Sequence, residues 1–279
     1  MAGETHRLAR SVEGRTLLGN AEGFVPLSAA GYPADATATD ALADAAAGDL
    51  PPVASLPARP RSTEHVRFAA PFDPGKLWGI GLNYADHAAD LDEVRPEEPA
   101  SFMKPATTVT APGGPIRLPP REVSDRVTAE AELGVVLGRT CKGVEEADFA
   151  DVVAGFVPVI DMTAEDVLQR NPRFLTRAKS FDSFLVVGPW LSAPASVDRL
   201  AGTTVRTIIN DEVIAENTLD RMLFSPPELV AFHSDVMTLD PGDLISTGTP
   251  GAGVIEDGDT VRAEVDGVGV LEADVVRES

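Results

Sequence analysis

Val127-Thr128-Ala129-Glu130-Ala131-Glu132-Leu133-Gly134-Val135-Val136-Leu137 has the composition of a strand that runs into a protein interior. Its second half is continuously apolar, while its first half alternates small residues with acids. Side chains on a strand alternate between faces, so Glu130 and Glu132 share one face. Two carboxylates held that close repel each other unless a cation or a proton intervenes, and hard carboxylate oxygens suit Mg²⁺, Mn²⁺ or Ca²⁺. A solvated strand face accounts for the same spacing in an acidic chain. The eleven residues alone leave both readings open.

Outward from this stretch, short strand-like runs recur between Gly and Pro punctuation at residues 77–81, 128–137, 156–160, 184–187, 205–209, 244–247 and 260–265. That spacing predicts a β-rich body. The clearest helices are expected over 162–169, where Thr163 and Asp166 have capping-box spacing, and over 226–237. Alternation over 261–265 and 268–276 around Asp266-Gly267 predicts a terminal hairpin. The first seventy residues have a different texture: short alternating stretches, an Ala- and Asp-rich segment at 35–50 expected to be one helix with Leu42 inward, and a stiff connector carrying Pro51, Pro52, Pro57 and Pro60. The expected organisation is α+β, with a small N-terminal α/β subdomain over 1–70 and a β-rich domain over 71–279.

At 279 residues the chain is long enough to bury a large core without covalent staples, and its one cysteine, Cys141, cannot form an internal bridge. Neither a secretory leader nor a run of roughly 18 apolar residues is visible, so the expectation is a cytoplasmic protein without a membrane partner. The 44 acidic against 23 basic side chains give a net charge of −21, which repels nucleic acid. Lysine is confined to Lys76, Lys104, Lys142 and Lys179, and acids are spread along the whole chain. That composition suits a salt-rich, halophilic cytoplasm, where self-repulsion is screened. No Gly-x-Gly-x-x-Gly, P-loop, Gly-x-Ser-x-Gly or His-Glu-x-x-His is present, which removes the usual footprints of nucleotide, serine-hydrolase and zincin chemistry.

Asp161 ends the apolar run 156–160, where it can serve a ligand or cap the next helix. Lys179 lies among aromatics in Arg177-Ala178-Lys179-Ser180-Phe181, either as a partner for carboxylates or as a lysine reaching the surface. His87 has Asp90 three residues on, a spacing at which the acid can orient the imidazole as a general base if the segment is helical. The turns at 240–243 and 247–251 offer backbone N–H groups that either line a carboxylate pocket or make a bend.

Taken in order, Gly81-Leu82-Asn83-Tyr84-Ala85-Asp86-His87, Phe102-Met103-Lys104-Pro105, Glu130-Ala131-Glu132-Leu133, Asp161-Met162-Thr163-Ala164, Ala178-Lys179-Ser180-Phe181-Asp182, Val187-Gly188-Pro189-Trp190, Pro241-Gly242-Asp243 and Thr247-Gly248-Thr249-Pro250 resemble the fumarylacetoacetate hydrolase family. The resemblance runs from about residue 76 to the end. It implies the family's β-rich C-terminal-type fold, a mixed β-roll or sandwich with few helices, assembled as a homodimer. It implies Mg²⁺ or Mn²⁺, with Ca²⁺ able to stand in for either in crystals, on Glu130, Glu132 and Asp161. It further implies Lys179 as the active-site lysine, His87 and Asp90 as the water-activating pair on a mobile segment, and Asn83, Tyr84, Lys104, Gly248 and Thr249 as substrate contacts.

The implied activity is a metal-dependent hydrolase or lyase that cleaves a C–C bond of a small, acylpyruvate-like 2-oxo acid through a metal-stabilised enolate. The same chemistry admits a decarboxylase, isomerase or dehydratase of 2-oxo acids, and the scaffold also admits a non-catalytic 2-oxo acid binding protein. The chain departs from the family pattern at Asp90, where relatives tend to have glutamate, at Glu165, where many have arginine, and at Leu168, where many have glutamine. The segment Asn171-Pro172-Arg173-Phe174-Leu175 reads as a subgroup feature.

Overall fold

The computed structural model describes residues 4–84, 96–194, 200 and 202–278. The N-terminal part contributes β1 (His6–Ser11), β2 (Thr16–Asn20), β3 (Gly23–Pro26) and the short β4 (Phe68–Ala69). Next come β5 (Leu77–Gly81), β6 (Ala100–Lys104), β7 (Val109–Thr110) and β8 (Gly113–Leu118). The centre of the molecule is made by β9 (Val127–Leu137) and β10 (Val153–Ala164), followed by β11 (Leu185–Val187) and β12 (Trp190–Ala193). The remainder supplies β13 (Thr204–Ile209), β14 (Glu212–Thr218), β15 (Leu244–Ser246), β16 (Ala252–Ile255), β17 (Thr260–Val265) and β18 (Gly269–Arg277). With its few short helices, this is the strand-rich α+β architecture expected from the punctuation of the sequence.

Two sheets result. The larger runs β3-β2-β1-β12-β10-β9-β15-β5-β6, with β4, β7, β11 and β16 off this path, and the smaller runs β14-β13-β17-β18-β8. They pack face to face through β9 and β10 against β13, β17 and β18. Alternation explains the layer: Ala129, Ala131, Leu133, Val135 and Leu137 of β9 point toward Val205, Val261, Ala263 and Leu271 of the smaller sheet in one buried cluster. Truncating one such side chain, for example Leu133→Ala, costs about 2–5 kcal/mol because the rigid sheets cannot close over the cavity. The other face of β9 and β10 joins a second cluster, where Val136, Val157 and Val159 meet Leu42, Ala45 and Leu8. The N-terminal strands enter the larger sheet through antiparallel pairing of β1 with β12.

Two local expectations hold and two are refined. The hairpin at 261–276 forms, with Val265 paired to Gly269. The helix Pro226–Val236 starts at a capping box between Ser225 and Glu228. By contrast, residues 162–164 are not helical: they stay in β10, paired with Ala129, Thr128 and Val127, and the helix is Glu165–Arg170. Thr163 is thereby drawn into the ladder and caps nothing. The segment 35–50 also forms less helix than expected, a 3-10 turn at Ala38–Ala41 and an α-helix at Leu42–Ala47 with Leu42 inward. Among the described residues, no helix is long and apolar enough to cross a membrane.

Candidate metal centre

The pairing of β9 with β10 builds the site. In this antiparallel register Asp161 lies opposite Glu130 and Val159 opposite Glu132. Directly opposed residues point to the same face, so Glu130, Glu132 and Asp161 converge on the face turned away from the smaller sheet. One carboxylate oxygen from each lies within 4.8 Å of the others. Glu132 and Asp161 are buried at 1% and 0% exposure, and Glu130 is partly buried.

Each acid is oriented by its own donors. Thr163 Oγ1 donates to Glu130 Oε1 at 2.6 Å, and Lys179 Nζ donates to Glu130 Oε2 at 2.7 Å and to Asp161 Oδ2 at 2.9 Å. Lys104 Nζ donates to Asp161 Oδ1, and to the Phe184 carbonyl at 2.7 Å. Glu132 Oε2 accepts from Ser246 Oγ at 2.5 Å and from the Gly248 amide at 2.9 Å. That last contact has a topological origin: β15 and β16 both pair with β9, and the loop between them leaves the sheet beside Glu132. Gly248 sits in this loop at φ +94°, where an added Cβ would lie 2.9 Å from Asn83 Cβ and 3.0 Å from the Ile80 carbonyl oxygen.

The electrostatics follow from burial. Burial, then the neighbouring Asp161 and Glu130 charges, push Glu132 up to about 8. Burial would raise Asp161 too, but Lys104 and Lys179 hold it below the usual carboxylate range. Lys179 is opposed by burial, yet the Asp161, Glu130 and Glu132 charges hold its ammonium above the ordinary lysine range. For Lys104 burial prevails over the attraction of Asp161, and its value is lowered.

The other expected site residues are placed as follows. Asn83 spends its amide on backbone: Nδ2 donates to the carbonyls of Thr247 at 2.7 Å and Phe224 at 3.0 Å, and Oδ1 accepts from the Phe224 amide at 2.9 Å. It therefore anchors the loop that carries Gly248. Thr249 Oγ1 donates to the Gly251 carbonyl at 2.9 Å. Tyr84 is fully buried, its hydroxyl has no hydrogen-bond partner among the described residues, and burial followed by the charge of Glu132 raises its value. His87 and Asp90 lie outside the described residues. Two contributors escaped the sequence reading. Ser246 gave no signal beyond its place in an apolar run, and Thr163 was marked only by spacing that also fits a cap.

The three carboxyl groups outnumber the two ammonium groups, and an all-oxygen donor set of this kind suits a hard divalent cation. The model of the fumarylacetoacetate (FAA) hydrolase C-terminal family matches residues 76–276. Among similar proteins, the 4-hydroxyphenylacetate degradation bifunctional isomerase/decarboxylase of Salmonella dublin is 39% identical over 205 residues, a match spanning 73% of this chain and 47% of that protein. The structure of 5-carboxymethyl-2-hydroxymuconate delta-isomerase from Mycobacterium smegmatis superposes with a TM-score of 0.77 at 33% identity, covering 99% of this chain and 100% of that one. Maleylpyruvate hydrolase from Sphingobium sp. SYK-6, crystallised in complex with manganese(II) ion and pyruvate, gives 0.79 at 29% identity and covers 98% and 100% of the two chains.

Proposed function

Because the chain belongs to the fumarylacetoacetate hydrolase family, we propose that it is a divalent-metal-dependent hydrolase or lyase that cleaves a C–C bond of a small, acylpyruvate-like 2-oxo acid. The observation that carries the reading is the convergence of Glu130, Glu132 and Asp161 beside the Lys179 ammonium. The residues fit a cation. Glu132 is a buried carboxyl group whose ionisation is opposed by burial and by its acidic neighbours, both of its described donors bind Oε2, and the cluster contains no sulfur or imidazole that would prefer a softer metal. Glu130, Glu132 and Asp161 would hold Mg²⁺ or Mn²⁺, and the manganese- and pyruvate-bound maleylpyruvate hydrolase supports that choice. When bound, the ion supplies Lewis-acid polarisation of the 2-oxo oxygen.

The chain's own groups do the rest. Lys179 Nζ keeps its proton beside three carboxylates and places a fixed positive charge where negative charge develops on the substrate oxygen. Thr163 Oγ1, Ser246 Oγ and the Gly248 amide hold Glu130 and Glu132 in one orientation, so little reorganisation is needed at the moment of reaction. The reading assigns His87, oriented by Asp90, to take a proton from the water that attacks the 4-oxo carbon. In this reading Tyr84, Gly248 and Thr249 line the substrate; Asn83, also expected as a contact, spends its amide on the loop that carries Gly248; Lys104, likewise expected as a contact, lies behind Asp161; and the active form is a homodimer.

A second reading, an isomerase or decarboxylase of a 2-oxo dioate, is favoured by the Salmonella and Mycobacterium relatives. It needs proton movement between substrate carbons, or loss of a carboxylate, and no attacking water. Turnover of acetylpyruvate, fumarylpyruvate, oxaloacetate and 2-oxohept-3-ene-1,7-dioate with Mg²⁺ or Mn²⁺ separates the two. The expected result is cleavage of an acylpyruvate, abolished in Glu132→Gln and reduced about 10²–10⁴-fold in His87→Ala. Turnover of oxaloacetate or the dioate alone would replace the hydrolase reading with the second one. Binding without turnover of any substrate would make the protein a binder.

A further inference from the structure

Two ammonium groups flank the carboxylate cluster, and they come from different elements. Lys179 ends the helix Leu175–Lys179 and bridges Glu130 and Asp161. Lys104 is the last residue of β6, is 5% exposed, and donates to Asp161 Oδ1 and the Phe184 carbonyl. Both oxygens of Asp161 therefore carry an ammonium partner, one from each lysine. The two lysines are not equivalent. Lys179 reaches two of the three acids, whereas Lys104 touches only Asp161.

Charge counting gives Lys104 a consequence. Carboxylates must be ionised to ligate a cation, and in that state the three carboxylates and two ammonium groups carry one net negative charge, so a divalent cation makes the site singly positive and the carboxylate of an incoming 2-oxo acid makes it neutral. Without the second ammonium, the cation alone would neutralise the site and the anion would arrive at a centre with no attraction for it. We propose that Lys104 is a positioning residue that acts through Asp161: it weakens the hold of the site on its divalent cation and, in exchange, makes the loaded site a receptor for an anionic head group. The inference rests on the assignment of Glu130, Glu132 and Asp161 as cation ligands. A unit charge within about 5 Å of a divalent ion, at an effective dielectric of about 20, is enough to change its binding by well over tenfold.

The test is calorimetric and needs no turnover. Mn²⁺ is titrated into metal-free wild type, Lys104→Met and Lys104→Arg, and oxalate, a rigid dianion of two joined carboxylates, is then titrated into each Mn²⁺-saturated protein. Lys104→Met is expected to bind Mn²⁺ about tenfold or more tightly and oxalate about tenfold or more weakly than wild type. Lys104→Arg keeps the charge and is expected to restore both affinities toward wild type. Structural damage alone lowers both together, so opposite shifts are the signature, and parallel losses or an unshifted Mn²⁺ affinity overturn the proposal. If circular dichroism shows that Lys104→Met does not fold, Lys104→Gln makes the same neutral replacement with a polar head. Absence of Mn²⁺ uptake by wild type would overturn the cation assignment itself, and this inference with it. Normal uptake by wild type with no shift in the variants would overturn this inference alone.

Discussion

Replacing Gly248 by alanine tests the link between backbone conformation and the metal site. Gly248 adopts φ +94°, and a Cβ there would lie 2.9 Å from Asn83 Cβ and 3.0 Å from the Ile80 carbonyl oxygen. Neither neighbour is the free end of a long side chain: Asn83 is pinned by three hydrogen bonds to backbone, and Ile80 lies within β5. The loop must therefore move. A left-handed alanine costs about 1–2 kcal/mol. Displacing the Gly248 amide from Glu132 Oε2, now 2.9 Å away, removes a hydrogen bond to a charged acceptor and costs about 1.5–3 kcal/mol more. The expected loss is thus about 2.5–5 kcal/mol in urea unfolding of the metal-free protein at about pH 9, above the value of about 8 to which Glu132 is pushed, together with weaker Mn²⁺ uptake by calorimetry. Gly14→Ala is the control, since Gly14 has φ +80° with nothing within 4 Å of the added Cβ. It carries the backbone penalty without the collision or the displaced amide. If Gly248→Ala proved no less stable than Gly14→Ala and took up Mn²⁺ like wild type, the argument that this loop must approach so closely to hold Glu132 would be refuted.

Other consequences are accessible to simpler measurements. Lys179→Met leaves Glu130 Oε2 and Asp161 Oδ2 without their ammonium partner, so it should destabilise the metal-free protein by about 3–5 kcal/mol and lower kcat by about 10²–10³-fold at saturating metal; kcat within a few-fold of wild type would remove Lys179 from the reaction. His233 is buried against Trp78 with ring centroids 4.7 Å apart, and burial lowers its pKa from the ordinary 6.5. Its neutral form therefore contributes stability that is intact above pH 6.5 and is lost as pH falls through the lowered value. Urea unfolding against pH should show less acid destabilisation in His233→Gln than in wild type. The net charge of −21 predicts that the thermal midpoint rises as KCl is raised from about 0.1 to about 2 M, by screening of self-repulsion. A midpoint independent of salt would sink the halophilic reading.

Much of the carboxylate cluster is legible in the sequence alone. Glu130 and Glu132 share a face because alternation is built into every strand, and the ordered motifs from Gly81 to Pro250 carried the family. The family match over 76–276 agrees with that resemblance. Less was legible where local and tertiary preferences compete. Thr163 has the spacing of a helix cap, yet pairing with Thr128 holds it in β10, where its hydroxyl supports Glu130 instead. The composition change near residue 70 is plain in the sequence, while the hydrogen bonds that carry β1 into the larger sheet through β12 are not.

The sequence by itself determined the strand, the face of its two acids, the hard-cation preference of their oxygens and the acidic surface, because each depends on residue type and a short repeat. The tertiary structure alone decided that Asp161 stands opposite Glu130, since a slip of one residue between β9 and β10 would turn its side chain to the apolar layer. It also decided that Lys104, Lys179, Ser246 and Gly248 arrive at those carboxylates from four separate elements or loops. Periodicity is a local property of a chain. Register and convergence arise only when distant segments bury their surfaces together.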